Sequence, residues 1–444
     1  MQRYRKKDLL KTLSSMEKLN NAIMKSNNLG AGISVDVLTQ CQGLAIDMGS
    51  FLEESGDAYV HIVKLLETYC EDIYQMCMEL HNPIQCKRIA KKLQGVLIQL
   101  ANKIRQDLPE DKKEVVFLPY KASMWDSLES MWKAAEDDPE CDAYVVPIPY
   151  YDRNPDGSLG EMHYEADEYP SYVPITSCEE YIISERRPDE IYIHNPYDEC
   201  NYVTSVHPLF YASELRKHTD MLVYIPYFVA INDNVERHFC TTPGVLYAHK
   251  VIVQSEKTRE IYLEELRKYE EENDCKGALG NIEEKIVAGG SPKFDKVMTA
   301  RLEDFDIPEE WNRLIVNPDG SRKKVILYNT TIAAMLNDTE KMLDKIEDAL
   351  KVFRGNPDIV LLWRPHPLFK TTLKSMRRGL LERYERMENE YISGGWGIYD
   401  DSAEVYRAIT LSDAYYGDWS SVVELYKRTG KPIMIQNVNV ITEE

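Results

Sequence analysis

Two short segments in the last third of the chain hold the residue types that chemistry on an anionic ligand needs. In one, Arg364 and His366 follow the apolar run Leu361-Leu362-Trp363; in the other, Asp418, Ser420 and Ser421 follow Ala414-Tyr415-Tyr416-Gly417. A parallel sheet delivers groups placed just after its strands to one common edge. The pattern therefore points to a site for a phosphorylated ligand, and to an enzyme.

His366 stands between Pro365 and Pro367, which restrict the backbone and keep the ring out of a regular element. Near a phosphate its imidazole would donate a proton or neutralise charge, and Arg364 would grip planar oxygens. A satisfied structural histidine is the competing reading. Asp418 or Ser420 is placed to cap the helical stretch Val422 to Arg428, and Ser421 with Glu424 has capping-box spacing. Free N–H groups, hydroxyls and the positive helix end would together receive a diphosphate, whereas capping alone would explain a single serine.

Further candidates lie upstream. His194 follows the strand-like Ile191-Tyr192-Ile193, and an imidazole near its ordinary pKa suits removal of a proton from an acceptor hydroxyl. Asp198 or His207 would serve instead, or His194 would only orient its loop. Gly289-Gly290-Ser291-Pro292-Lys293-Phe294-Asp295 permits close backbone approach and offers Lys293 as a mobile charge at an interdomain seam; a plain hinge turn is the alternative. Asp152 to Gly157 looks like a fragment of a calcium loop, but the twelfth position is His163 rather than glutamate, so no metal is assigned. The stretch Tyr150 to Pro174 reads as an irregular, aromatic-rich loop suited to be an acceptor-binding lid.

Elements to position these groups are visible in the periodicity. At 444 residues the chain exceeds one core. Its fold class reads as α/β, two doubly wound domains preceded by an all-α N-terminal region. The expected divisions are a helical accessory domain at 1–110, an N-terminal α/β acceptor domain at 111–305 and a C-terminal α/β donor-binding domain at 306–444. Ala58 to Leu80 and Ile84 to Ile104 repeat apolar residues at helical spacing, and Asn82-Pro83 starts a new helix. Strands are expected at Val115 to Pro119, Ala143 to Ile148, Glu190 to Ile193, Met221 to Ile225, Val245 to Val253 and Ile286-Val287. The second domain adds Lys324 to Tyr328, Ile359 to Trp363, Tyr391 to Ser393 and Lys431 to Ile435, alternating with helices at 338–353, 370–384 and 402–408. A closing helix after that last strand would be short, missing or beyond Glu444.

Composition narrows the function classes. A net charge of -21 opposes nonspecific nucleic-acid binding, which needs a positive field, so no nucleic-acid partner is expected. A phosphorylated substrate would then require locally concentrated cations, for which Lys121, Lys293, Arg364 and Lys431 are candidates. Nine cysteines form no CxxC pair and are odd in number, which suits free thiols in a reducing compartment. No apolar run spans a bilayer and no apolar signal opens the chain, so a cytoplasmic location is expected. Arg3, Arg5, Lys6, Lys7 and Lys11 among Tyr4, Leu9 and Leu10 would let a basic amphipathic helix rest on an anionic inner leaflet; an ordinary solvated helix face is the alternative.

Gly290-Ser291-Pro292-Lys293-Phe294-Asp295, Arg364-Pro365-His366-Pro367, Ser412-Asp413 with Asp418-Trp419-Ser420-Ser421, and Gly430-Lys431-Pro432 together resemble the CDP-glycerol glycerophosphotransferase family, the teichoic-acid primases and polymerases. The resemblance covers about residues 112 to 437. It implies a glycosyltransferase-B fold and transfer of glycerol phosphate, from CDP-glycerol or another CDP-alcohol, to a glycan, polyol-phosphate or lipid-linked acceptor. No cofactor would be required. It also implies His366, Ser420 and Ser421 at the donor phosphates and His194 as base. Two departures stand out: Asn195 follows His194 where the family usually has glycine, and Tyr328-Asn329-Thr330-Thr331 lacks the family's proline and arginine. The rival functions are a nucleotide-sugar-dependent glycosyltransferase on the same domains and a non-catalytic nucleotide-binding scaffold.

Overall fold

Apolar side chains at three- and four-residue spacing make four helices of the described residues before Leu108. The computed structural model describes residues 3–25, 35–109 and 111–436. Helices α1 (Arg3–Lys25), α2 (Val35–Glu54), α3 (Val60–Met78) and α4 (Pro83–Asp107) enclose a core that includes Leu13, Met16, Leu38, Leu66, Ile73 and Leu97. Asn82 caps α4 by accepting the Gln85 N–H at 3.3 Å, and Pro83 occupies the first turn, where no N–H is needed. One compact unit comprises residues 1–114 with 139–142 and 183–189.

The basic residues of α1 have partners within this unit. Lys6 is buried and donates to the carbonyls of Leu108 (2.7 Å) and Arg105 (3.1 Å), at the negative end of α4. Arg3 and Lys7 pair with Asp189 at 3.4 and 3.0 Å. Three of the bases expected to face a leaflet thus hold the unit together. No helix among the described residues is long and apolar enough to cross a membrane.

The second unit, residues 115–138, 143–182 and 190–444, is α/β. Its strands are β1 (Lys113–Leu118), β2 (Cys141–Val145), β3 (Tyr150–Arg153), β4 (Leu159–His163), β5 (Glu190–Ile193), β6 (Thr204–Val206), β7 (Met221–Tyr224), β8 (Lys250–Val253), β9 (Ile286–Ala288), β10 (Lys324–Thr330), β11 (Ile359–Pro365), β12 (Ile398–Tyr399), β13 (Ala414–Gly417) and β14 (Ile433–Ile435). One sheet runs β2-β1-β5-β7-β8-β9, parallel from β1 onward; a second runs β12-β11-β10-β13-β14, parallel throughout. Helices between consecutive strands cover both faces, as parallel sheets require. Residue alternation shows it: Val325, Leu327, Val360 and Leu362 enter one core, while Tyr328, Leu361 and Trp363 enter the other. The architecture is a helical region followed by two doubly wound domains.

Strand order fixes where a ligand would sit. The first sheet builds from β1 to β2 on one side and to β5 on the other; the second builds from β10 to β11 on one side and has β13 on the other. The crevices therefore open at the carboxyl ends of β1 and β5, and of β10 and β13.

Three expectations need correction. Tyr391 belongs to the helix Arg378–Gly394, whose buried Tyr384, Met387, Glu388 and Tyr391 return at helical spacing, and the strand is Ile398–Tyr399. Val245 lies in the short helix Pro243–Tyr247, before β8. The stretch after Tyr150 is irregular only beyond His163, since β3 and β4 form a hairpin that pairs with β6. Its turn, Asn154-Pro155-Asp156-Gly157-Ser158, recurs as Asn317-Pro318-Asp319-Gly320-Ser321 with the same bonds, so the Asp152–Gly157 segment is a tight turn. The nine cysteines are free thiols. The expected closing helix lies outside the described residues.

Candidate active site

β10 organises the edge that carries the candidate residues. Beyond its carboxyl end the His366 N–H donates to the Thr330 carbonyl at 2.9 Å, and the Asp418 N–H donates to the Asn329 carbonyl at 3.0 Å. His366 and Ser420 thus flank β10, two strand spacings or roughly 10 Å apart. The Leu368 N–H donates to His366 Nδ1 at 3.1 Å, which leaves Nε2 to carry the proton of the neutral ring. Partial desolvation and the charge of Arg364 hold the pKa of His366 below its ordinary value. At neutral pH the ring is an uncharged N–H donor at the mouth of the crevice.

Ser420 occupies the N-cap position of the helix Ser421–Lys427 without a side-chain cap; its Oγ accepts from Asn329 Nδ2 at 3.3 Å. The expected capping box is not formed. Glu424 accepts the Asn232 N–H at 3.0 Å and pairs with Lys427. Ser421 is exposed.

Gly417 makes this turn possible. Its φ of 137° lies where side chains are strained, and a Cβ there would fall 2.2 Å from the Asn329 carbonyl oxygen. Gly417→Ala is expected to lower stability by roughly 2–4 kcal/mol, read as an earlier denaturation midpoint with unchanged slope.

Three of the four expected cations are matched by carboxylates or carbonyls inside the protein. Arg364 is buried, bonding Asp400 at 2.6 Å and the Ser402 carbonyl at 2.7 Å, so it shapes the loop after β12 rather than offering its fork to a phosphate. Asp418 is also buried; it accepts the Thr331 N–H at 2.7 Å and pairs with Lys345, so it is neither a helix cap nor a ligand contact. Lys431 donates to the carbonyls of Ile409, Thr410 and Ser412, the end of the helix Val405–Leu411. Lys121 lies 4.8 Å from the centre of the Tyr150 ring. Lys293 holds both oxygens of Asp126 at 2.7 Å, and Asp126 also accepts from the Tyr406 hydroxyl at 2.6 Å. That triad joins the two α/β halves, and Arg428 against Phe294, 3.9 Å from the ring centre, joins them again beside the serine-bearing helix. Lys293 is thus a seam residue in a fixed ion pair rather than a mobile charge.

His194 sits at the other crevice, between β1 and β5, but it is fully buried. The Tyr120 N–H donates to Nε2 at 3.2 Å, so Nδ1 carries the proton and donates to Ser127 Oγ at 2.9 Å, which donates to the Met124 carbonyl at 2.7 Å. Burial depresses its pKa to about 3. With both nitrogens engaged and no exposed atom, the ring pins the loop Tyr120–Ser127 and does not reach an acceptor hydroxyl.

Asp198, the alternative base, is buried too, and desolvation raises its pKa to about 8. The folded state therefore holds a proton that the unfolded chain releases near pH 4, and stability from this group falls as pH rises from about 4 to about 8. Asp198→Asn keeps an acceptor for the Ala212 N–H at 2.8 Å. It is expected to stabilise the protein at pH 8 by on the order of 1 kcal/mol or more and to leave pH 4 nearly unchanged, measured by denaturation at both.

His207, the third alternative, repeats the local form of His366. His207-Pro208-Leu209-Phe210 matches His366-Pro367-Leu368-Phe369, and the Leu209 N–H donates to His207 Nδ1 at 3.2 Å. The outward Nε2 of His366 is therefore encoded by its own tetrapeptide, and its position at the β10–β13 edge is what distinguishes it. Sequence reasoning missed Lys345, Asp400, Asp126 and Asn329. Lys345 alone leaves a signal: it interrupts the inward stripe Met342, Ile346, Ala349. Among the described residues no group of three or more His, Cys, Asp or Glu is placed to hold a metal ion.

Residues 254–440 match the family model described as CDP-Glycerol:Poly(glycerophosphate) glycerophosphotransferase. No curated protein matches the chain. Solved structures with similarity include the UDP-GlcNAc 2-epimerase from Neisseria meningitidis bound to UDP-GlcNAc, at 12% identity over 72% of this chain and 82% of that one, TM-score 0.42. The UDP-GlcNAc 2-epimerase from Methanocaldococcus jannaschii gives 12% identity over 73% and 83%, TM-score 0.41. The wall teichoic acid polymerase TagF gives 16% identity over 82% and 78%, TM-score 0.39.

Proposed function

We propose that this chain is a divergent member of the CDP-glycerol glycerophosphotransferase family. It moves glycerol phosphate, or a similar polyol phosphate, from a CDP-activated donor to an acceptor hydroxyl in cell-surface polymer synthesis at the inner face of the membrane. One observation carries the reading: the segment matching the glycerophosphotransferase model, residues 254–440, contains His366, Ser420 and Ser421, which the fold sets on either side of β10 at a strand-order reversal.

The acceptor oxygen attacks the β-phosphorus in line; an oxygen–phosphorus bond forms there, the bond to the bridging oxygen breaks, CMP departs with that oxygen, and the proton of the acceptor hydroxyl passes to solvent. His366 Nε2–H and the hydroxyls of Ser420 and Ser421 bind phosphate oxygens whose charge grows during transfer, which is where preorganised donors act most strongly. His194 is a positioning residue for the Tyr120–Ser127 loop, and the ion pairs at Arg364, Asp418 and Lys293 fix the walls. Neutral donors suffice for this role, and the reading calls for no metal.

Supplying CDP-glycerol and, separately, a panel of nucleotide sugars, then identifying the released nucleotide, tests the reading. CMP release with glycerol phosphate on the acceptor is expected. Exclusive release of UDP or GDP would replace phosphotransfer by glycosyl transfer, and tight nucleotide binding without turnover would leave a scaffold.

A further inference from the structure

A cavity of about 670 Å³ opens in the second unit, within the roughly 300–1,000 Å³ span usual for small-molecule sites. It is lined from both α/β halves, by Glu129 and Lys133 of the helix Glu129–Glu136, Tyr172, Lys296 of the helix Pro292–Thr299, Asp304, and Glu404 beside the loop after β12. None of these residues belongs to the phosphate-binding edge at β10.

Its charges disfavour an anion. Both lysines share a single carboxylate, Glu129, with Lys133 at 2.8 Å and Lys296 at 2.9 Å, and the three other lining carboxylates, Asp295, Asp304 and Glu404, outweigh the positive charge left over. The remaining carboxylates tilt the cavity negative. Glu404 gives one oxygen to the Tyr406 N–H at 3.1 Å and Asp304 gives one to the Arg301 N–H at 2.8 Å; in each, the second oxygen has no donor among the described residues. Carboxylate oxygens in want of donors suit hydroxyl groups, and they repel phosphate.

Its exposed aromatic wall, Tyr172, is held rigid yet left open. Tyr172 is 52% exposed, but its hydroxyl donates to Glu129 and its ring lies against Trp132, centroids 6.5 Å apart at 30°. Lys133 lies 5.2 Å from the ring centre. An exposed ring fixed at its far end loses little freedom on binding, and Pro170 and Phe305 extend the apolar surface around it.

We propose that this cavity binds an uncharged, hydroxyl-rich sugar residue, with one face of the sugar on Tyr172 and its hydroxyls donating to Glu404 and Asp304. Resting on the transferase reading, this makes the sugar the acceptor side of the reaction and sets it apart from a polyol-phosphate chain.

The test is direct binding to the full chain without donor, by saturation-transfer NMR and calorimetry. The probes are neutral mono- and oligosaccharides, a lipid-linked disaccharide and poly(glycerol phosphate). Neutral sugars are expected to bind, free and lipid-linked alike if the sugar alone is recognised, and poly(glycerol phosphate) is expected neither to bind here nor to compete. Tyr172→Ala should weaken sugar binding at least tenfold and Tyr172→Phe less, with Glu404→Gln also weaker; a retained melting temperature excludes misfolding. Sugar binding unchanged in Tyr172→Ala, or competition by poly(glycerol phosphate), overturns the proposal, as does binding by none of the sugars. Since no donor is present, that failure leaves the transfer reading standing, whereas sugar binding without CMP release would sink the transfer reading alone.

Discussion

His366→Ala is expected to lower the rate of transfer about 10²–10³-fold while the fold survives, because the imidazole is exposed and supports no core. The size follows from removing one preorganised donor to an oxygen whose charge grows in the transition state, an effect that appears in kcat as well as in kcat/KM. His366→Gln offers an amide N–H and should recover part of the loss. The ring's depressed pKa means that it donates as the neutral form at pH 7, so the wild-type rate should not fall merely because the ring is uncharged. Steady-state rates of both variants on a donor that the wild type turns over provide the check; wild-type kcat in His366→Ala would remove the ring from the mechanism.

Asp418→Ala should act on stability instead, with a loss of about 3–5 kcal/mol. Lys345 would keep its charge in a site where its side chain is 7% exposed, and the Thr331 N–H would lose its acceptor. Replacing both members of the pair, Asp418→Leu with Lys345→Met, should recover only part of that loss, since the Thr331 N–H stays unmatched. Urea denaturation of the single and double variants measures the difference. A full recovery would mean that the backbone bond to Thr331 contributes little.

Much of the scaffold was legible because burial leaves a period in the chain. Ile359 to Trp363 reads as a strand from its unbroken apolar run, and β11 indeed begins at Ile359, buried on both faces. Tyr391 to Ser393 misled because a short aromatic and β-branched run cannot be told from the inward stripe of a helix without its longer context. The hairpin β3–β4 was hidden by composition, its Asp, Asn, Pro and Gly belonging to one tight turn rather than to an irregular lid.

The placement of the candidate residues in the fold was legible to a similar depth. His366, Ser420 and Ser421 do lie at one sheet edge, because position after an apolar run is local information. What each charge is paired with is not local. Arg364 finds Asp400 36 residues away, Asp418 finds Lys345 73 away and Lys293 finds Asp126 167 away, and those pairings turn presumed ligand contacts into walls. Burial of His194 was equally invisible, since the ring is enclosed by the Tyr120–Ser127 loop, whose approach depends on the pairing of β1 with β5.

A crystal structure of the chain soaked with CDP-glycerol, or with CMP and glycerol phosphate, would bear on the central claim most directly. The account predicts a phosphate oxygen within hydrogen-bond distance of His366 Nε2 and a second on the hydroxyl of Ser420 or Ser421, with the nucleotide at the carboxyl ends of β10 and β13. An ordered nucleotide elsewhere in the α/β unit, with His366 and both serines facing only water, would contradict it.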